Sequence, residues 1–246
     1  MKSYQLKMHA ISQLSTKVFL VRLEKPCGAK LRFHAGQYLA VQRPDGEVLY
    51  FSIASTEDDP FIDLHVEVRS SHSSSSTLIT TLMRDRHVEV KLPLGSACMG
   101  EIPENPVLLI SSGTGFAQIH SLGTKLVRSG FGYPLLLFRN VREESDLYLS
   151  HVVNEWSCCC PNMQAYTIIR RQDQSDSTYL SALIEQLRKT ELALQEFSVY
   201  VSGSARFVYS TRDALLTMGI REAAFYADAL DFPTEGEFSQ SAQTLR

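Results

Sequence analysis

The residues best suited to chemistry in this chain are small, and they sit where apolar runs end. In SSGTGFAQIHSL (111–122), Gly113 and Gly115 allow a tight turn and close approach to a ligand, with no Cβ in the way. A helix opening near Phe116 would present free N–H groups and the positive end of its dipole, which suits a pyrophosphate. Thr114 adds a hydroxyl donor. VSGSARF (201–207) repeats the pattern with Gly203, Ser204 and Arg206, although a plain turn is the competing reading. Arg139 and Arg142 in RNVREESDLY (139–148), and Arg170 and Arg171 in IIRRQ (168–172), leave two more apolar runs. Those arginines either converge on phosphates or pair with Glu143, Glu144 and Asp146 as solvated surface.

A second candidate surface is YFSIAS (50–55). Tyr50 and Phe51 close an apolar run and lead into Ser52, Ile53, Ala54 and Ser55. The stretch reads either as an ordinary barrel edge or as a platform for a flat, polar ring. Other chemistries find no support. There is no G-x-S-x-G elbow and no H-E-x-x-H, and the seven histidines are scattered. His65 reads as solvent-facing or structural, and His34 and His72 as surface residues. None of the five cysteines has C-x₂-C spacing, so no metal or iron–sulfur site is expected. They read as reduced thiols of a cytoplasmic protein. A net charge of −3 over 246 residues argues against nucleic acid as a partner. No apolar run approaches the ~20 residues of a membrane span, and the N-terminus lacks the apolar core of a signal peptide.

Two kinds of element must position these groups. Up to about residue 100 the runs are short and β-like: 17–23, 37–42, 48–54, 61–69 and 87–92, with one helical piece near 77–84. FIDLHVEVR (61–69) alternates strictly, with Ile62, Leu64, Val66 and Val68 on one face, so it is a strand with one buried side. The spacing suggests a small antiparallel barrel. After residue 106, apolar strands at 107–111, 134–138, 165–169, 198–202 and 223–227 alternate with amphipathic segments. Leu180, Leu183, Ile184 and Leu187 mark one such segment, and Val208, Thr211, Leu215 and Met218 another. That rhythm indicates a doubly wound parallel sheet. The expected organisation is an antiparallel β-barrel over 1–101, an α/β nucleotide-binding domain over 102–232, and a polar tail over 233–246.

In this order the motifs resemble the ferredoxin–NADP⁺ reductase superfamily, and within it the single-chain NAD(P)H:flavin reductases. The likeness runs through FHAGQYLAV (33–41), YFSIAS, LHVEV (64–68), LPLGSA (92–97), LLISSGTGFA (108–117), REESDLY (142–148), VYVSGS (199–204) and FYADAL (225–230). The resemblance implies FAD or FMN on the barrel and NADH or NADPH on the α/β half. The flavin would lie against Tyr50, Phe51, Ser52, Ile53, Ala54 and Ser55, with the Ser52 hydroxyl, the catalytic group, near N5. Ser76 and Thr77, in RSSHSSSST (69–77), would form a hydroxyl-lined turn for a flavin diphosphate unless that stretch is a plain surface loop. The nicotinamide nucleotide would meet Gly113, Thr114, Gly115, Phe116, Arg142, Gly203 and Ser204. Arg170 and Arg171 would hold a 2′-phosphate, which favours use of NADPH as well as NADH.

The departures from the family pattern are specific. Leu49 stands where the family has an arginine on the flavin, and Ser112-Gly113 and Asn140-Val141 each replace a double glycine. Ser202-Gly203-Ser204 replaces a C-G-P-like turn. A lost charge-assisted contact is worth ~1.5–3 kcal/mol, about one to two orders of magnitude in affinity. The expectation is therefore an enzyme that passes hydride to a diffusible flavin, whose reduced form serves a separate acceptor: a monooxygenase, a luciferase, iron reduction or another electron-acceptor protein. The alternatives are a resident-FAD reductase that passes electrons to a ferredoxin or oxygenase partner, and a degenerate nucleotide-binding module.

Overall fold

The computed structural model describes residues 1–26, 31–43, 46–169 and 176–231. The first half contains β1 (Lys2–Gln13), β2 (Val18–Glu24), β3 (Tyr38–Gln42), β4 (Val48–Ser52), β5 (Phe61–Glu67) and β6 (His87–Leu94). They pair antiparallel in the order β4-β3-β6-β1-β2-β5, and a bridge between Ile53 and Leu64 draws the outer strands together into a barrel. Leu6, Val21, Leu39, Ile62, Leu64 and Val90 fill it. The sequence reading places no strand over 2–13, yet β1 pairs with both β6 and β2 near the middle of the order. Its sequence hides this because only Leu6 and Met8 are fully buried and most of the rest is polar. Helix α1 (Ser74–Asp85) starts three residues before the expected 77. The Ser73 side chain caps it by accepting the Ser76 N–H, and Leu78, Ile79 and Leu82 face the core.

The second half is a parallel sheet of β7 (Val107–Ser112), β8 (Leu135–Val141), β9 (Met163–Ile169), β10 (Ser198–Ser202) and β11 (Phe225–Tyr226), in the order β11-β10-β7-β8-β9. Helices α2 (Phe116–Arg128) and α3 (Ser150–Cys159) pack on one face, over Leu109, Leu135 and Leu137. On the other face α4 (Asp176–Lys189) and α5 (Ala205–Thr217) cover Leu108, Ile110, Leu136 and Phe138. Side chains thus alternate between two cores, which is why these strands are apolar throughout. Helix α3 is not marked in the sequence, because Val153 and Trp156 are its only buried residues and they make no stripe. From β7 the chain runs outward through β8 and β9, then crosses to β10 and β11 on the other side. The resulting switch point, between β7 and β10, is where open α/β sheets leave a crevice at the carboxyl ends of their strands.

Helix α2 joins the halves. Gln118 is 3% exposed, and its Nε2 lies 2.8 Å from the Gly36 carbonyl, 3.0 Å from that of Ala97 and 2.8 Å from Asp228 Oδ2. Nδ1 of His120 donates to the Ala54 carbonyl at 2.8 Å, and the Ser121 hydroxyl to that of Ser55 at 2.7 Å. Further along, Lys125 donates to the Met99 carbonyl at 2.7 Å and pairs with Glu57, while Arg128 meets Asp59 at 2.7 Å.

Candidate functional site

A cleft of about 620 Å³ opens at this switch point, between barrel and sheet. Tyr50, Phe51 and Ser52 line its barrel wall. Gly113, Thr114, Gly115, Arg142, Gly203 and Ser204 line the sheet wall. Two motif groups separated by sixty or more residues in the chain therefore share one cavity. Gly113 has φ +55°, and a Cβ built on it would meet nothing within 4 Å, so the turn leaves open space above it. A Cβ on Gly115 would lie 2.3 Å from the Ser202 carbonyl oxygen, so glycine there lets the turn rest against the end of β10. No side chain caps the amino end of α2 behind the turn, whereas Ser204 caps α5 by accepting the Phe207 N–H. An uncapped helix start beside open backbone is a place for phosphate oxygens. A hydroxyl-tipped aromatic strand facing it suits a planar ring, so the residues present fit a flavin and a nicotinamide nucleotide.

Other expected residues lie elsewhere. Ile53, Ala54 and Ser55 are 0%, 1% and 5% exposed and do not line the cleft; His120 and Ser121 occupy the Ala54 and Ser55 carbonyls. Ala54 and Ser55 thus close the seam, while Ile53 belongs to the barrel core and bridges Leu64. Phe116, 1% exposed, lies beneath the turn as core. Ser76 and Thr77 form the first turn of α1, outside the cleft lining, and the Thr77 hydroxyl donates to the Ser73 carbonyl at 3.4 Å. Leu49 packs against the barrel core. Arg170 and Arg171 fall outside the described residues.

The cleft also recruits Lys17, His65, Glu67, Arg69, Asn140, Tyr148 and Arg206. His65, Glu67 and Arg69 are successive members of the polar face of 61–69, and that alternation was the available signal. Of the two readings of His65, solvent-facing or structural, the first is corrected: it is 5% exposed, because the second half covers that face of the barrel. Its Nδ1 shares a hydrogen bond with the Tyr148 hydroxyl at 3.2 Å. Burial, then the nearby His120 and Arg139, push its pKa down to about 3, so the ring is neutral. Burial also holds the Tyr148 phenol above its ordinary range. Arg139 is 4% exposed, stacks 3.8 Å over the Phe116 ring and donates to the Tyr148 carbonyl at 2.7 Å. Burial lowers its pKa to about 10, and it stays charged at neutral pH. At the far side of the seam, burial raises Asp228 to about 6 despite hydrogen bonds from Ala97 and Gln118. Among the described residues no group of three or more His, Cys, Asp or Glu could hold a metal ion.

Residues 109–213 match the oxidoreductase NAD-binding domain family. The chain is 28% identical over 229 residues to the reductase component 1 of terephthalate 1,2-dioxygenase from Comamonas, covering 92% of this chain and 68% of that one. It is 23% identical over 235 residues to the NAD(P)H-flavin reductase of Vibrio harveyi, covering 93% and 98%. Among solved structures, the ferredoxin–NADP⁺ reductase of Plasmodium falciparum superposes with a TM-score of 0.76 at 15% identity, over 92% of this chain and 95% of that one. The protein is thus an oxidoreductase with the ferredoxin–NADP⁺ reductase fold. Residues 109–213 of its second half carry the match to an NAD-binding domain, and its relatives include both a flavin reductase and the reductase components of oxygenase systems.

Proposed function

We propose that this enzyme oxidises NADH or NADPH and delivers the hydride to FMN, FAD or riboflavin taken up as a diffusible substrate. The carrying observation is that Tyr50, Phe51 and Ser52 of the barrel and Gly113, Thr114, Gly115 and Gly203 of the sheet line one cleft. A flavin bound there supplies an N5 that accepts the hydride. The chain's own part is to stack, orient and exclude water. Ser52 offers a small hydroxyl beside N5, and Arg142 and Ser204 stand with the turn as phosphate contacts. The packing of Leu49 into the barrel supports weak flavin retention, because no cation is offered from that position.

We take the working units to be a flavin domain over 1–101 and a nucleotide domain that begins at 102; the expected end of that domain at 232 and the tail over 233–246 lie outside the described residues. The reduced flavin would serve a separate flavin-dependent monooxygenase. Free thiols at Cys98, Cys158, Cys159 and Cys160 suit a reducing compartment, and the cytoplasm is the proposed location. No helix among the described residues is long and apolar enough to cross a membrane.

A second reading, a resident-FAD reductase serving an oxygenase or ferredoxin partner, is favoured by the likeness to the Comamonas reductase component. Absorbance at 340 nm with purified protein, either nicotinamide nucleotide and each flavin in turn separates the two. Saturable oxidation that requires added flavin is the expected result. Oxidation by a yellow protein without added flavin would establish the second reading, and no oxidation at all would leave a degenerate nucleotide-binding module.

A further inference from the structure

One buried charge at this site is left unexplained by the reading above. The Arg139 guanidinium is 4% exposed, and among the described residues it meets the Tyr148 carbonyl and no carboxylate. Its Nε is buried without any hydrogen-bond partner. A cation taken out of water is costly unless it is paired, so an interior guanidinium held by one carbonyl and aromatic faces is an unusual arrangement. What it touches is informative. The Phe116 ring, 3.8 Å away, follows directly on the 113–115 turn. The Tyr148 carbonyl, 2.7 Å away, ends the loop that carries Arg142. Tyr148 in turn reaches across to His65 of the barrel. One side chain therefore ties together both phosphate-facing segments of the sheet wall, from beneath and out of solvent.

We propose that Arg139 is a positioning residue for the nicotinamide nucleotide: it sets the separation between the 113–116 turn and the 142–148 loop and supplies that gap with interior positive charge. Its charge acts on the bound nucleotide from beneath, since Arg139 itself does not line the cleft. This rests on the reading that a nicotinamide nucleotide occupies the cleft. Arginine suits the task because its planar group stacks on a ring face while its edge donates a hydrogen bond. The flavin wall is built from β4, which Arg139 does not touch, so the effect falls on one substrate only.

Calorimetric titration of NAD⁺ into wild type, Arg139→Met and Arg139→Lys tests it, together with flavin titration and amide hydrogen exchange. The expected result is NAD⁺ affinity about tenfold weaker in R139M and within threefold of wild type in R139K, with flavin affinity unchanged in both. Exchange should accelerate at 113–116 and 142–148 and not in the barrel. Unaltered NAD⁺ affinity in R139M overturns the proposal. So does a loss shared equally by NAD⁺ and flavin with faster exchange throughout the sheet, which would mark a purely structural role. If R139M does not fold, R139K and Phe116→Leu carry the test: F116L removes the ring face and should weaken NAD⁺ several-fold, and wild-type affinity in F116L overturns the proposal. Absence of NAD⁺ binding by wild type would instead sink the functional reading itself.

Discussion

Ser52 and His65 are the side chains whose environments decide most. Ser52 is half-buried at the end of β4, on the cleft, where its hydroxyl can meet a ring edge. A neutral hydrogen bond is worth ~0.5–1.5 kcal/mol, so Ser52→Ala should lower kcat/KM for flavin by roughly two- to tenfold while NAD⁺ binding stays unchanged. Steady-state kinetics with calorimetry reads both. His65 makes a prediction about acid. Its folded-state pKa of about 3 lies below the ordinary 6.5. The stability it contributes is therefore complete above pH 6.5 and is lost as pH falls toward 3. Asp228 has the opposite sign: its folded-state value of about 6 lies above the ordinary 3.8, so its contribution falls as pH rises from about 4 to 6. In thermal melts across that range, His65→Gln should resist acid better than wild type, and Asp228→Asn should lose the decline toward pH 6. Parallel curves for all three proteins would contradict both assignments.

At the scale of elements, the turn 113–115 separates two uses of glycine. Gly113 needs its positive φ and nothing more, so Gly113→Ala should cost about 1 kcal/mol. Gly115 is pressed on the Ser202 carbonyl, so Gly115→Ala must push β10 away from the turn and should cost about 3 kcal/mol. Urea unfolding of the two variants gives the comparison, and equal losses would refute it. Both glycines were legible in the sequence because the turn falls where an apolar run gives way to a helical one. So were β5, from its strict alternation, and α4 and α5, from their apolar spacing. What escaped was held by tertiary partners. β1 carries too few apolar residues to announce itself, and α3 shows only Val153 and Trp156 to the core. The seam is invisible for the same reason. Ala54 and Ser55 look like ring-facing residues until His120 and Ser121 arrive from a helix some sixty residues later.

For the whole molecule, that seam predicts how it unfolds. Gln118 satisfies two backbone carbonyls of the barrel side and the Asp228 carboxylate with one buried amide. Gln118→Ala leaves all three without that donor, and unmet buried groups cost ~1–3 kcal/mol each when water cannot reach them. Scanning calorimetry should show a single transition for wild type, and for Q118A a loss of about 3 kcal/mol with the transition splitting in two. A single, unshifted peak for Q118A would mean that the halves are coupled some other way.

Helix α2 has a further consequence, for how the chain can vary in length. Its first turn faces the cleft, and the side chains that grip the barrel follow at fixed steps along it. Each residue advances an α-helix by 1.5 Å and turns it by about 100°. Adding or removing one residue between Phe116 and Gln118 would swing Gln118, His120, Ser121, Lys125 and Arg128 off their partners together. An insertion in an exposed loop away from the cleft and the seam breaks no such shared phase and should be tolerated, while α2 is fixed in its count of residues.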